Sequence, residues 1–250
     1  MTDRRDFILG ALPGFALFAL LAEARAAVPA DQKLPARRWV MRQDELARGL
    51  AKGTLGQVQW HDAVNALANE VDVSELAFEL RRARTRPAGE TFGHDPKKRF
   101  LTFLDDSGQP VHLGYGAALF SFDRNSVITP HAHRHMASAH MVIAGKVRIR
   151  TFDRLADEDG AILISPTADL VADPGHAAAM TSDKDNVHWF AARSDHAMTF
   201  DVIVDGLDRG QERYIIQPVD PIGGEHLADG SIRAPLLTFE ESSKRYNAGL

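Results

Sequence analysis

Two periodicities divide the chain. Between residues 43 and 84 apolar positions recur at helical spacing, as in Leu46 with Leu50, Ala63 with Leu67, and Leu76 with Leu80, pairs that share one face of a helix. This pattern predicts two or three short helices over Gln43–Lys52, Val58–Val71 and Val73–Arg84, serving as a packing segment. Asp72 followed by Glu75 resembles an N-terminal capping box with Asp in place of Ser or Thr. A polar link with Pro87, Gly89, Gly93 and Pro96 follows, and beyond it the period shortens. Arg99–Leu104, Val111–Phe122, Met141–Phe152, Ala161–Ile164, Val187–Ala191 and Met198–Val204 are apolar or alternating runs, separated by turn sequences such as Asp106-Ser107-Gly108 and Asp173-Pro174-Gly175. Short strands punctuated in this way predict an antiparallel sandwich or barrel. In the tail, Tyr214–Pro218 and Ile232–Thr238 are candidate edge strands.

The first residues read as an address. Arg4-Arg5 with Phe7 precedes an apolar run from Ile8 to Leu21, broken by Pro13, and Ala24-Arg25-Ala26 is a small-x-small cleavage site. The run falls short of the ~20 residues that span a bilayer. The whole resembles a twin-arginine export signal, so the expected organisation is a signal peptide at 1–26, a linker and helical segment at 27–95, a barrel at 96–207 and a C-terminal extension packing on it at 208–250. The expected location is the periplasm, with no membrane attachment after cleavage. Removing 1–26 takes away three arginines and three acidic residues, so the net charge stays at −5. A mildly acidic chain has no electrostatic case for nucleic acid. With no cysteine, a metal site would need His, Asp or Glu.

Histidines supply the candidate chemistry. Pro130–His140 holds four of the eleven. On a strand, His131 and His133 project to one face, and a turn after His133 would carry His135 away from it. His188, within a β-prone run about fifty residues downstream, is the candidate third ligand; the alternative is a core histidine satisfied by backbone. His176 reads as a loop residue, and so do His61, His94, His112, His196 and His226, which show no partner pattern. Trp189, Phe190 and Phe200 read as core. Arg148, Arg150 and Arg154 read as surface charge, with the cavity mouth as their alternative. Asp183, Asp185 and 157–159 read as solvated turns.

Pro130-His131-Ala132-His133, then eleven further residues and Gly145, resembles the first cupin motif, H-x-H-x(3,4)-E-x(6)-G. Pro174-Gly175 with Asn186-Val187-His188 looks like a loose form of the second, P-x-G-x(2)-H-x(3)-N. The resemblance covers about Arg99 to Asp205. It implies a mainly β fold, a double-stranded β-helix (cupin or jelly-roll barrel) with an N-terminal helical segment, holding a divalent metal through His131, His133 and His188. Ser138 stands at the family's glutamate position, a spacing similar to the thiol dioxygenase branch, in which three neutral histidines bind ferrous iron. The ion expected is Fe(II), with Mn, Zn or Ni as alternatives. His140, two residues on and on the same strand face, is either a catalytic acid–base group in the cavity or a fourth ligand. The expected function is a metal-dependent oxygenase acting on a small anionic or chelating molecule; the alternatives are a cupin that only binds a small ligand or metal, and a metal-assisted isomerase or lyase. A homodimer paired through an edge strand remains open.

Changing both Arg4 and Arg5 to Lys is expected to trap a longer precursor in the cytoplasm. Normal export and processing of that variant, read by cell fractionation and N-terminal sequencing, would remove the signal assignment.

Overall fold

The structure, a computed structural model, describes residues 33–89 and 93–246; the expected signal peptide lies outside them. The helical pattern folds as α1 (Ala36–Lys52), α2 (Gln57–Leu67) and α3 (Val73–Arg82). α1 begins at Ala36 rather than near Gln43. Its buried stripe runs through Trp39, Val40, Gln43, Ala47 and Leu50, and Pro35 stands just ahead of it, where a missing N–H costs nothing. The Asp72 carboxylate accepts from the N–H groups of Ser74 and Glu75 at 2.8 and 3.2 Å. Glu75 does not complete a reciprocal box: its carboxylate accepts instead from the Ala36 N–H at 3.2 Å, so it caps α1 across the helix pair.

After β1 (Arg84–Pro87) and β2 (Lys97–Thr102) come eight strands: β3 (Gly116–Phe122), β4 (Val127–Arg134), β5 (Met136–Ala144), β6 (Val147–Glu158), β7 (Ala161–Ala172), β8 (Ala177–Met180), β9 (Val187–Ala192) and β10 (Ala197–Asp205). One sheet runs β1-β2-β3-β10-β5-β8. The other contains β4-β9-β6-β7, flanked by β11 (Ile215–Pro218) beside β4, and by β13 (Ile232–Pro235) and β12 (Glu225–His226) beyond β7. Counted from β3, the two quartets are 1-8-3-6 and 2-7-4-5, all antiparallel, which is the strand order of a double-stranded β-helix. The protein is therefore mainly β, a jelly-roll barrel with N-terminal helices, and its last described element is α4 (Phe239–Arg245). The run from Val111 becomes strand only at Gly116. Neither β4 nor β8 shows a clear apolar run, because β4 carries Pro130 and two inward histidines and β8 reads Ala-Ala-Ala-Met. Among the described residues no helix is long and apolar enough to cross a membrane.

Strand alternation fixes where the core lies. On β5 and β10 the residues Ala137, Ala139, Met141, Phe200, Val202 and Val204 face the helices and join Trp39, Leu50, Trp60 and Leu76 in one apolar cluster. The opposite parity, Ser138, His140, Thr199 and Asp201, faces the barrel interior and is buried. Phe200 is the keystone of the helix–sheet interface, with Trp39 and Phe103 ring centroids at 6.0 and 6.2 Å. β8 is a sheet edge, and α2 covers it: Asn65 Oδ1 accepts from the Ala179 N–H at 3.1 Å and Gln57 Oε1 from the Ser182 N–H at 2.8 Å, satisfying backbone that the sheet leaves open.

Phe200→Ala is expected to cost about 3–5 kcal/mol of stability, the range for emptying a large core aromatic. A denaturant midpoint implying less than about 1 kcal/mol would mean that this interface does not anchor the helical layer.

Candidate metal centre

β4 and β9 are hydrogen-bonded neighbours, and their register sets His131 opposite His188. A bulge between Ile128 and His131 inserts one residue at Thr129-Pro130, where a proline's missing N–H is tolerated. It turns both Ile128 and His131 inward although they lie three apart. His133 follows two residues on, and the three imidazole centroids stand 4.9, 4.2 and 4.6 Å from one another. One nitrogen from each lies within 4.8 Å of the others.

Hydrogen bonds select the tautomers. His131 Nδ1 lies 2.7 Å from the Thr129 carbonyl and His188 Nδ1 lies 3.3 Å from that of Asn186. A carbonyl only accepts, so each Nδ1 carries the proton and each Nε2 presents a lone pair. His131 Nε2 and His133 Nε2 are 3.0 Å apart, a separation that two facing lone pairs tolerate only with a proton or a cation between them. Burial disfavours the charged imidazolium: it pushes His131 down to about 4 and holds His133 and His188 well below the ordinary histidine value. Neutral imidazole is the form that binds a metal ion. The three residues thus form a site that could hold a divalent ion, and nitrogen donors without a carboxylate suit Fe, Zn, Ni or Cu better than Mg or Ca.

His140 projects from β5 on the facing sheet. Its Nδ1 is 3.1 Å from Thr199 Oγ1 and its Nε2 is 3.6 Å from Asp201 Oδ1, while its ring packs on Phe120 and Phe190 at 5.0 and 4.7 Å. It lies outside the three-histidine group. Ser138, at the motif's glutamate position, lines the same cavity. His135 is the turn residue between β4 and β5, at φ 60°, with Nδ1 3.3 Å from Asp208 rather than at the site. His94, His112, His176, His196 and His226 do not line the cavity.

Four sequence expectations change. His226 lies on β12 rather than in a loop. His61, read from the sequence as a loop residue without a partner, lies on α2 and is buried between Asp62 and Asp185, with its nitrogens 2.9 and 2.8 Å from their carboxylates. Asp185 is consequently no solvated turn: it joins α2 to the loop leading into β9, and its N–H donates to Asp153 at 2.8 Å. Sequence separation hides this pair. The cavity-mouth alternative for the arginines also fails, because Arg148 and Arg150 pair with Asp169 on the outer face of β6 and Arg154 with Asp157.

The site opens into a cavity of about 410 Å³ between the sheets. His133 Nδ1, Ser138 Oγ and Asp201 Oδ1 are buried atoms without a hydrogen-bond partner among the described residues, and all three residues line it. Burial raises the Asp201 carboxyl to about 7, partly countered by the Lys98 charge. Lys98, from β2, also lines the cavity. Sequence reading missed both; the polar i, i+2 pair Thr199 and Asp201 inside the apolar run Met198–Val204 is the signal that could have revealed the second.

No protein-family model matches the chain, and no curated protein matches it. Among solved structures it is similar to KdgF from Halomonas sp. at 16% identity and TM-score 0.33, covering 47% of this chain and 84% of that one. It is similar to vicilin from Capsicum annuum at 10% identity and TM-score 0.36 (55% and 34%), and to the coconut allergen cocosin at 15% and 0.34 (57% and 32%). The chain spans about a third of the length of the last two. The barrel assignment stands on strand order alone.

His131→Ala, His133→Ala and His188→Ala are each expected to lose most bound metal, while His135→Ala keeps it. At free metal one hundred times Kd, loading should stabilise the fold by about 2.7 kcal/mol, read as a melting shift reversed by chelator. Metal content unchanged in all three alanine variants would displace the site.

Proposed function

We propose that this protein is an exported, metal-dependent oxygenase acting on a small anionic or chelating substrate. The observation that carries the reading is the convergence of three neutral imidazole nitrogens, without a carboxylate among them, at one wall of a substrate-sized cavity. His131, His133 and His188 would hold the ion, with Fe(II) preferred and Mn, Zn or Ni as alternatives. Such an ion would supply Lewis acidity and, if redox-active, the electrons for oxygen chemistry. The chain's own residues enclose the substrate between two sheets, exclude bulk water and set proton transfer. His140 is the acid–base group at the facing wall, and Asp201 beside it holds a proton that is exchangeable near neutral pH. Arg4-Arg5 and the apolar run after it support export, and a passenger of the twin-arginine type leaves the cytoplasm folded and loaded.

A buried acid–base pair favours a second reading, a metal-assisted isomerase or lyase, in which proton movement is the whole reaction. Metal analysis of protein purified from its native compartment, with an oxygen electrode, separates the two. Iron together with substrate-dependent oxygen uptake supports the oxygenase; turnover without oxygen uptake supports the second reading. In either case Asp201→Asn is expected to lower turnover by tenfold or more and to remove an inflection near pH 7 from the rate profile. An unchanged profile would take Asp201 out of the proton path.

A further inference from the structure

Lys98 has an unusual position for a lysine. It lies on β2, outside the eight barrel strands, where its register partner on β3 is Phe120, and that pairing turns it toward the barrel interior. Its ammonium stands 4.9 Å from the Phe120 ring centroid and 5.2 Å from that of Phe100, so the aromatic faces hold the charge in place. Phe120 in turn packs on His140. The Lys98 side chain makes no ion pair or hydrogen bond with a described residue, although it lines the same cavity as the three histidines. Asp201 and Asp205 line the same cavity, but no ion pair joins either to its ammonium, so the cation is open to an entering anion.

The same cavity also has an aromatic lining. Tyr214 and Phe239, both contributed by the C-terminal extension, are 50% and 65% exposed yet line the mouth, with Ile216 beside them. Large aromatics left in solvent around an opening mark a surface that a ligand covers. The cavity lining therefore carries both a cation and an exposed aromatic rim.

We infer that the substrate of this cavity is an amphiphilic carboxylate, whose anionic group pairs with Lys98 near the three histidines and whose apolar body rests against Tyr214 and Phe239. This deepens the proposed function and rests on it for the substrate's position beside a metal. Lys98 is then a specificity-determining residue, selecting the charge, and the C-terminal extension selects the tail.

The test is calorimetric titration of the full-length protein with three probes, phenylacetate, its neutral analogue 2-phenylethanol and acetate, alongside metal content. Phenylacetate is expected to bind at least tenfold more tightly than either of the others. Lys98→Met should abolish its advantage over 2-phenylethanol and Lys98→Arg restore most of it; Phe239→Ser should abolish its advantage over acetate, all three variants retaining the wild-type metal content. The inference is overturned if phenylacetate shows no preference in the wild type, or if the charge preference survives in Lys98→Met. Low metal in the wild type with the Lys98-dependent preference intact would instead remove the metal-centre reading and leave the carboxylate pocket standing.

Discussion

Three neutral imidazoles packed edge-on inside a barrel impose the constraint from which the rest of the structure follows. Each loses its hydration there, and only the neutral form survives the burial. The arrangement persists because backbone enforces it. The Thr129 and Asn186 carbonyls orient two rings, and the Asn186 side chain donates to the carbonyls of His133 and Thr181 at 2.8 and 2.9 Å, fastening the approach to β9 onto β4. A slip of one residue between these strands would swing the histidines of one strand out of the site. The register is held at a distance as well. Gly145, at φ 67°, ends β5 where a Cβ would lie 2.5 Å from Ser194 Oγ and 2.7 Å from Ala197 Cα, so only glycine lets the β5–β6 turn nest against the loop between β9 and β10.

A barrel that gives its interior to His, Ser, Thr and Asp cannot use that interior as its main core. The apolar faces of β5 and β10 point the other way, and the helices supply their partner surface. This is why the N-terminal segment carries Trp39 and Trp60 fully buried, and why its polar side chains bond to β8 and to the Gly114 N–H. The helical layer adds a second core to the smaller one that Val142 and Met180 form with Ile149 and Phe190 between the sheets. The His61–Asp185 link extends the same coupling to the second sheet, since Asp185 leads directly into Asn186 and His188.

Legibility followed range. The helices, the β texture and the histidine spacing were readable because each depends on residues within a turn or a strand of one another. β4 and β8 were obscured for opposite reasons: β4 trades apolar residues for ligands and a proline bulge, while β8 consists of alanines whose burial comes from a helix more than a hundred residues earlier. Glu75 caps a different helix from the one its spacing suggests, because Ala36 arrives only in the folded chain. Lys98 and Asp201 were illegible as site residues for the same reason. Each faces the cavity by the parity of a strand whose register with β3 or β5 no local pattern states.

The division of labour between the two walls has a chemical consequence. The histidines come from β4 and β9, whereas Asp201 and His140 come from β10 and β5 of the opposite sheet, paired directly in register. A fully ionised carboxylate at the Asp201 position would compete to become an anionic ligand and reduce the effective charge of a bound ion. Burial raises that carboxyl to about 7, so near neutrality much of it stays protonated and retains hydrogen-bond donor capacity. The same desolvation that keeps the imidazoles neutral therefore keeps much of this carboxyl neutral as well. Ser138, in place of the motif's glutamate, acts in the same direction from the neighbouring strand.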